Sequence, residues 1–329
     1  METHLDTKVE SLSNLVESPI PHYFDSQVPV DGYRWWYCDI VSDDHQYCVV
    51  IIGFIGSVFS PYYASARRRG PADPEQHCAI NAILYAPGSK RWAMTERGSG
   101  RLERLAHGVR VGPSDMQFDG DKLVINIRER CNPLPLLWEG RIELTPQIKT
   151  AKPFGLHSNG LHHWWPYAPV ATARVQLTHP QLSFTGSGYI DTNFGREPLE
   201  QGFEGWDWTR RESSPTDGST PAITYHSRER SGLESDLTLA LTPDGMIKVP
   251  TPSSVAIAPG FWRVPRQLRS TDRILNTRTL EDTPFYVRSL LTAGDHAKPY
   301  CVMHESLDLD RFASRWVQTL LPFRMPRLA

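Results

Sequence analysis

The chain has 329 residues, of which 40% are hydrophobic and 22% charged, and its formal net charge is −2. This balance fits a folded globular protein of one or two domains, and the near-zero charge argues against nucleic acid as a partner. The five cysteines are odd in number and form no C-x-x-C pair, which argues against disulfides and structural zinc and favours free thiols in a reducing compartment.

The N-terminal residues 1–30 predict a flexible tail with prolines at turn-forming positions. They contain no apolar run behind a basic start, so no secretory signal is visible and we expect a cytoplasmic location. The longest apolar stretch, Tyr47 to Ile55, is too short to span a bilayer, which takes about 20 residues.

Short strands separated by turns follow from Gly32 onward. Gly32–Val41 and Gln46–Ile55 flank a polar turn and predict a β-hairpin. Apolar and polar residues alternate through Lys122–Ile127 and from Leu237 to Leu241, which is typical of half-buried strands. The further predicted strands are Ile80–Tyr85, Arg141–Leu144, Arg174–Leu177, Leu182–Ile190, Ile223–Arg228 and Phe285–Thr292. The pattern indicates an all-β sandwich or barrel, with a long loop at Arg211–Pro221.

The tryptophans are unevenly placed along the chain. Six of the ten lie in three short clusters, namely Trp35-Trp36, Trp164-Trp165 and Trp206 with Trp208. A buried indole N–H requires a hydrogen-bond partner, so core packing rarely needs tryptophans in pairs. The clusters indicate either an aromatic-lined cavity or the core and rim of a β-sandwich, and the pattern leaves both open.

A C-terminal helix is predicted because apolar residues recur on one helical face. These residues are Leu309, Phe312, Ala313, Trp316, Val317, Leu320 and Leu321. Asp308 can cap the start of the helix, and we expect Pro322 to end it. The helix either packs on a barrel or faces a membrane, with help from Arg311, Arg315, Arg324 and Arg327.

Signatures of nucleotide-binding loops, zinc proteases and α/β-hydrolases do not occur in the sequence. The candidates for a metal site are His157, His162 and His163. Because His162 and His163 are adjacent, they point to opposite faces of a strand. We therefore expect no bound metal.

The residues best suited to chemistry lie between Gly186 and Gly195, just after His162-His-Trp-Trp165. On a strand, Tyr189, Asp191 and Asn193 would share one face. Aspartate and asparagine are disfavoured in strands, so the alternative is a turn from Asp191 onward whose polar side chains bond their own backbone. The residue pattern alone leaves the strand and the turn open.

Several motifs carry a family resemblance along the chain. They are Gly32-Tyr-Arg-Trp-Trp-Tyr37, Gly56-Ser-Val-Phe-Ser-Pro-Tyr-Tyr63, Arg91-Trp-Ala-Met-Thr-Glu-Arg-Gly98, His163-Trp-Trp-Pro166, Gly188-Tyr-Ile-Asp191, Gly205-Trp-Asp-Trp208, His304-Glu-Ser-Leu307 and Leu320-Leu-Pro-Phe-Arg-Met-Pro-Arg327. With these motifs in this order, the sequence resembles the carotenoid 1,2-hydratase (hydroxyneurosporene synthase) family of phototrophic bacteria.

The resemblance implies two lipocalin-like β-barrel or sandwich domains in tandem with a C-terminal amphipathic helix, which we place at 31–198 and 199–329. It implies an acyclic carotenoid such as lycopene or neurosporene as substrate, water as the second reactant, and no cofactor. Asp191 matches the essential aspartate of the family's Gly-Tyr-x-Asp motif, and His162, Trp164 and Tyr189 match its supporting residues. Because the substrate resides in lipid, we expect peripheral contact with the inner or intracytoplasmic membrane.

Elementary chemistry supports this role for Asp191. An isolated trisubstituted alkene is a very weak base, so its hydration needs an acid that stays protonated, as a buried carboxyl does. Protonation at carbon 2 leaves a tertiary cation at carbon 1, which aromatic rings stabilise until water adds. His162 either orients this water or hydrogen-bonds Asp191. We expect the substrate-binding residues to be Trp165, Asn193, Trp206 and Trp208, although the last two could instead pack the core.

Two other functions remain open at the level of sequence. A pericyclase on the same fold would cyclise a polyene by shape and hydrogen bonds without a strong acid. A non-catalytic carrier would bind a carotenoid or another lipid without turnover. The fold alone does not distinguish these functions from hydration.

Overall fold

The computed structural model describes Phe24 and the ranges 27–212, 220–243 and 245–328. Most of the predicted N-terminal tail 1–30 and of the predicted loop Arg211–Pro221 lies outside the described residues. The helices are α1 (Pro61–Arg67), α2 (Leu199–Gly202), α3 (Leu309–Ala313) and α4 (Arg315–Arg324), with 3-10 turns at Pro74–Gln76 and Ser99–Arg101.

The strands are β1 (Tyr33–Ser42), β2 (Cys48–Ile55), β3 (Cys78–Ala86), β4 (Ser89–Met94), β5 (Glu96–Arg97), β6 (Leu102–Leu105), β7 (Gly108–Val111), β8 (Ser114–Asp119), β9 (Lys122–Arg130), β10 (Leu137–Ile148), β11 (Phe154–Gly155), β12 (His162–His179), β13 (Leu182–Gly195), β14 (Phe203–Arg211), β15 (Ala222–Glu229), β16 (Glu234–Thr242), β17 (Gly245–Val249), β18 (Ser254–Ala256), β19 (Gln267–Arg269), β20 (Ile274–Asp282), β21 (Tyr286–Gly294), β22 (Pro299–Asp308) and β23 (Arg327–Leu328). Each strand predicted from the sequence overlaps one of these, and the all-β prediction is confirmed.

The described strands form sheets of 14, 7 and 2 strands. The large sheet follows the order β23-β5-β3-β2-β1-β13-β12-β10-β9-β8-β7-β6, with β11 beside β12 and β4 beside β3. The seven-stranded sheet follows the order β17-β16-β15-β14-β22-β21-β20. In the large sheet, the predicted hairpin β1–β2 is antiparallel, and β1 pairs on its other edge with β13.

Strand β1 is buried along its whole length, since each of its faces packs in a hydrophobic core. Trp36 and Ile40 belong to the inner core, the cluster of apolar side chains enclosed by the curled large sheet. Trp35 and Tyr37 belong to the interface core, which lies between the large and the seven-stranded sheet. Successive residues of a strand point to opposite faces, so the adjacent tryptophans serve different cores.

The interface core also contains a buried ion pair that joins the two sheets. Asp39 on β1 accepts a hydrogen bond from the Arg210 Nε–H on β14 at 3.0 Å, and their side chains are 0% and 3% exposed. Glu212 lies 3.4 Å from the Arg210 Nη2 atom and supplies a second negative charge. A buried guanidinium without such partners would be strongly destabilising.

The C-terminal helix begins where predicted, because the Asp308 side chain accepts a hydrogen bond from the Arg311 N–H at 2.9 Å. It is broken at Ser314, whose backbone is extended at φ −62° and ψ 139°. The prediction that Pro322 ends the helix is wrong, since α4 continues to Arg324. Proline removes only one N–H donor in the last turn, and the chain remains helical around it.

The break at Ser314 divides the predicted apolar stripe. Val317 and Leu321 are buried, whereas Trp316, Leu320 and Phe323 are exposed on the other side of α4. Within the part of the chain that the structure describes, each helix is too short or too polar to cross a bilayer. All five cysteines are free, as their number and spacing predict, and the structure shows that all five are buried.

Replacing Asp39 by asparagine should lower the free energy of unfolding by about 3–5 kcal/mol, because it leaves the Arg210 charge buried with only Glu212 beside it. Equilibrium urea denaturation measures this loss. The matched control is Asp121→Asn, whose side chain is 76% exposed in its pair with Lys149. This control substitution should lower the free energy of unfolding by at most about 1 kcal/mol. Equal losses in the two variants would contradict the inference.

Candidate active site

The segment around Asp191 is a strand, and the alternative interpretation as a turn is wrong. Strand β13 continues through Asp191 to Gly195, paired with β1 on one edge and β12 on the other. Tyr189, Asp191 and Asn193 are buried and share the face that meets the seven-stranded sheet. The unfavourable strand propensity of Asp and Asn is overridden because their buried side chains have hydrogen-bond partners, Trp164 and Tyr189 for Asp191 and Tyr225 for Asn193.

The Asp191 carboxyl is held by two hydrogen bonds in a site that excludes water. Its Oδ2 atom accepts from the Trp164 indole N–H at 2.9 Å and from the Tyr189 hydroxyl at 2.8 Å, and the residue is 4% exposed. Burial raises the pKa of Asp191 to about 8, although these two hydrogen bonds act to lower it. The carboxyl is therefore mostly protonated at neutral pH.

Aromatic rings from both sheets surround this carboxyl. The ring of Trp208 on β14 lies 5.2 Å from that of Tyr189 and 5.6 Å from that of Tyr37. Tyr37 on β1 is the direct cross-strand partner of Asp191. On the other side, the ring of Tyr225 lies 5.4 Å from that of Trp164. Electron-rich faces at this spacing form an environment in which a cation is stabilised and water is scarce.

Trp206 lies on the same face of β14 as Trp208, and its ring stacks on that of Trp35 at 6.3 Å. Asn193 donates from Nδ2 to the Tyr225 hydroxyl at 3.5 Å. The structure thus brings Asn193, Trp206 and Trp208 to the side of the sheet that carries Asp191. Asp207 faces the opposite side of β14, where its Oδ2 atom accepts from Arg228 at 3.1 Å.

His162 lies at the same face of the large sheet, but both of its ring nitrogens bond residues other than Asp191. Nδ1 is 2.9 Å from the Tyr33 hydroxyl, and Nε2 is 2.9 Å from Glu197 Oε1. Burial lowers the pKa of His162 against the opposing effect of Glu197, which favours the neutral ring. Direct tuning of Asp191 by a hydrogen bond from His162 is therefore absent from this arrangement.

Two glycines make room for the His162 ring. A Cβ atom on Gly195 would lie 2.7 Å from its Nδ1 atom, and one on Gly202 would lie 2.6 Å from its Nε2 atom. Real Cβ atoms do not approach so closely, so any side chain at either position would displace the imidazole.

Trp165 lies on the opposite face of β12 from Trp164. It belongs to the inner core, and its Nε1–H donates to the Thr150 carbonyl and hydroxyl oxygens at 3.1 Å each. The sheet therefore separates Trp165 from Asp191. His163 also points away from His162 and stacks on Phe194 at 5.0 Å between ring centroids.

Among the described residues, one group of potential metal ligands is close enough to share an ion. His45, Glu212 and Cys301 have ligand atoms within 4.8 Å of one another. Glu212 already pairs with Arg210, and burial raises the pKa of the Cys301 thiol, so the thiolate that a metal would need is disfavoured. This group fits a metal poorly.

A cavity of about 430 Å³ opens beside the interface core. Its inner wall includes Trp35, Tyr37, Trp206 and Glu305, and much of the remaining lining is apolar. Asp191 is not among the lining residues. Tyr37, the cross-strand neighbour of Asp191, does line the cavity. The cavity therefore ends one aromatic ring away from the Asp191 carboxyl.

The sequence interpretation missed three residues of this inner wall. Glu305 Oε1 on β22 accepts from the Tyr37 hydroxyl at 2.7 Å and from the Arg288 Nε–H on β21 at 2.8 Å. Arg288 is buried, and its Nη1–H donates to Tyr85 at 2.9 Å. Tyr37 and Glu305 do lie in two motifs of the family resemblance, and Arg288 is a charge in a mostly apolar predicted strand. Nothing in their spacing indicates that the three meet.

The chain is similar to known proteins over most of its length. Residues 51–329 match the family described as carotenoid hydratase CrtC. The acyclic carotenoid 1,2-hydratase of Thiocapsa roseopersicina is 43% identical over 309 residues, covering 93% of this chain and 75% of the relative. The acyclic carotenoid 1,2-hydratase of Rubrivivax gelatinosus is 38% identical over 313 residues, covering 93% of this chain and 76% of the relative.

Among solved structures, kievitone hydratase from Nectria haematococca matches with a TM-score of 0.55, covering 92% of this chain and 96% of that one at 12% identity. At this identity the likeness is one of fold, and it agrees with the lipocalin-like class predicted from the sequence.

The raised pKa of Asp191 predicts a specific dependence of stability on pH. Between the usual aspartate pKa of about 3.9 and the folded value of about 8, the native state binds one proton more than the unfolded state. As the pH rises through this window, the free energy of unfolding of wild type should therefore fall, relative to that of Asp191→Asn, by about 1.4 kcal/mol per pH unit. Above the window the difference should level off.

Urea denaturation at a series of pH values measures this difference. The control is Asp121→Asn, because Lys149 lowers the pKa of Asp121 and its contribution is lost only in acid. A flat difference between wild type and Asp191→Asn from pH 4 to 8 would mean that Asp191 is ionised in the folded protein.

Proposed function

The chain belongs to the carotenoid hydratase CrtC family, and on this premise we propose that it adds water to the terminal C1–C2 double bond of an acyclic carotenoid of the lycopene or neurosporene type. The observation that carries the proposal is the burial of the Asp191 carboxyl, with its raised pKa, among aromatic rings and one ring away from an apolar cavity. An alkene offers no lone pair and is a very weak base, so near neutral pH its protonation needs an acid that stays undissociated.

In the proposed reaction, Asp191 transfers its proton to carbon 2, and the electron pair of the double bond forms the new C–H bond. The tertiary cation at carbon 1 is stabilised by the faces of Trp164, Tyr189 and Trp208, with a cation–π contribution of about 2 kcal/mol or more in a desolvated site. Water then adds to carbon 1. Trp164 and Tyr189 also fix the orientation of the carboxyl through their hydrogen bonds to Oδ2.

The substrate end has to pass the inner wall of the cavity to reach this acid. Tyr37 and Trp206 line that wall, and Trp208 lies behind it against Tyr189. The proposal therefore requires these rings to make room when the polyene enters. A cavity of about 430 Å³ is in the range of pockets for drug-sized ligands, so a long polyene with one end inside extends through the mouth.

We propose that the exposed part of the polyene stays in the bilayer, with the mouth of the cavity at the membrane surface. An apolar patch lies beside this mouth and consists of Phe261, Trp262, Trp316, Leu320 and Phe323, of which Trp262 and Leu320 line the cavity. Trp262 stacks on Trp316 at 5.8 Å, and Phe261 and Phe323 are 84% and 76% exposed. Aromatic and aliphatic side chains on one face of a short helix are typical of interfacial contact.

The arginines expected to assist this contact are largely engaged within the chain. Arg327 lies in β23 and pairs with Glu96, and Arg311 donates to the Trp262 and Arg263 carbonyl oxygens. Arg324 packs over the Trp92 ring at 4.5 Å. The apolar patch, rather than the arginine-rich tail, is therefore the proposed contact.

Three further expectations accompany this proposal. The division into two domains at 31–198 and 199–329 is supported by the change of sheet between Gly195 and Phe203, while the terminal strand β23 returns to the large sheet beside β5. We propose that the reaction requires no cofactor, because side chains of this chain supply the acid and the cation-stabilising rings. The proposed location is cytoplasmic, at the inner or intracytoplasmic membrane.

Replacing Asp191 by asparagine should reduce hydration of lycopene by about 10²–10⁴-fold, because an amide supplies no acidic proton. Mass spectrometry of the product formed in ¹⁸O-labelled water measures hydration, with label expected in the hydroxyl at carbon 1. In wild type the rate should fall about tenfold per pH unit above pH 8, as Asp191 ionises.

The matched control is Asp207→Asn, which alters a buried aspartate on the opposite face of β14 and should retain hydration if the protein folds. Full activity of Asp191→Asn on a cyclisation substrate would favour the pericyclase. Tight polyene binding by wild type without any product would favour the carrier.

Replacing both Phe261 and Phe323 by serine should weaken sedimentation with phospholipid vesicles and slow hydration of vesicle-embedded substrate, while turnover of detergent-dispersed substrate is retained. Each buried apolar side chain contributes roughly 1.5–3 kcal/mol to such contact. The control replaces Val30 and Leu233, two exposed apolar residues outside the patch, by serine. Equal vesicle binding by both double variants would rule out the patch as the membrane contact.

A further inference from the structure

An ion pair lies in the wall of a cavity proposed to hold a hydrocarbon. The Glu305 carboxylate and the Arg288 guanidinium both line the cavity, and the Arg288 Nε–H and Nη2–H groups donate to Glu305 Oε1 at 2.8 Å each. Burying such a pair costs desolvation energy, and a hydrocarbon forms no hydrogen bond or ion pair that would offset this cost. A polar reactant at this wall would explain why the charges are there.

The pair is connected to the acid through Tyr37. Tyr37 is directly opposite Asp191 on the neighbouring strand, where side chains lie about 5 Å apart. Its hydroxyl reaches across the interface core and donates to Glu305 Oε1 at 2.7 Å. The two carboxyl groups therefore flank one tyrosine, with Asp191 on the large sheet and Glu305 on the seven-stranded sheet.

The environments of the two carboxyl groups are opposite in kind. At its Oδ2 atom, Asp191 accepts from the neutral Trp164 and Tyr189 groups, whereas Glu305 Oε1 accepts from the Arg288 guanidinium. A charge-assisted pair stabilises the ionised carboxylate, and neutral donors in an apolar site do so far less. A carboxyl group in an apolar site is suited to be an acid, and one bonded to a guanidinium is suited to accept a proton.

We propose that Glu305 is the base that accepts a proton from the water molecule as this water captures the cation, with Arg288 and Tyr37 as its positioning residues. The proposal rests on the hydration proposed above. Other candidates fit less well, since His162 is bonded to Tyr33 and Glu197. Glu281, a second acid in the cavity wall, is bonded to Lys90 at 2.9 Å.

The proposed step balances without another reactant. Water forms its C–O bond to carbon 1, and the O–H bond that breaks delivers its proton to the Glu305 carboxylate. Asp191 has meanwhile lost its proton to carbon 2. One proton passing from Glu305 back to Asp191 closes the cycle, and the net reaction is alkene plus water to tertiary alcohol.

The test separates protonation of the alkene from capture by water. In deuterated water, Glu305→Gln should reduce alcohol formation by about 10²–10⁴-fold. The variant should still form the cation, which returns to alkene when the Asp191 carboxylate removes a hydrogen. Recovered substrate should therefore gain deuterium at carbon 2, detected by mass spectrometry and NMR, whereas Asp191→Asn should give neither alcohol nor exchange.

The matched control is Glu129→Gln. Glu129 is also buried, pairs with Arg97 at 2.8 Å and accepts a hydroxyl hydrogen bond from Ser114 at 3.0 Å, but it does not line the cavity. Glu129→Gln should lower the free energy of unfolding about as much as Glu305→Gln does. It should leave the ratio of alcohol formation to deuterium exchange unchanged. Tyr37→Phe should lower this ratio, whereas a purely structural role would lower both quantities together.

Wild-type alcohol formation by folded Glu305→Gln would overturn the proposal. Equal loss of alcohol and of deuterium exchange in that variant would also overturn it, because Glu305 would then be acting on the protonation step. The proposed hydration itself fails only if wild type forms no alcohol, which the same assay measures separately.

Discussion

The carboxyl group of Asp191 lies where two β-sheets meet, and an ionised oxygen there would lose most of its solvation. The large sheet supplies the carboxyl together with Trp164 and Tyr189, and the seven-stranded sheet supplies Trp208 and Tyr225. Neither sheet alone encloses the group. The raised pKa is therefore a property of the packed interface, and whatever loosens that interface also returns Asp191 toward an ordinary, ionised carboxylate.

Strand β1 connects this site to the rest of the fold because both of its faces are buried. One face is fixed by the inner core through Trp36, and the other presents Trp35, Tyr37 and Asp39 to the seven-stranded sheet. The buried bond from Arg210 to Asp39 joins the sheets near the aromatic side chains. In the proposed reaction, a rigid support of this kind holds Asp191 in position while the cavity side of the interface accommodates a long apolar molecule.

Charge is distributed unequally across the interface. On the large sheet, Asp191 accepts a hydrogen bond from the neutral Trp164 indole, and on the seven-stranded sheet Glu305 accepts one from the buried Arg288 guanidinium. Helix α4 and the loop with Trp262 lie at the cavity mouth and leave apolar side chains exposed next to it. In the proposed reaction, this arrangement separates the entry of the hydrocarbon from the place where protons move.

The sequence by itself determined the all-β class, the approximate strands, the hairpin β1–β2, the Asp308 cap and the motif with Tyr189, Asp191 and Asn193, because alternation and capping depend on neighbours along the chain. It left open whether Asp191 is in a strand or a turn, and it misjudged the end of the terminal helix. Only the tertiary structure showed that His162 bonds Tyr33 and Glu197 and that Tyr37 bonds Glu305. These outcomes depend on contacts between strands that are distant in sequence, and local pattern carries no information about which distant side chains meet.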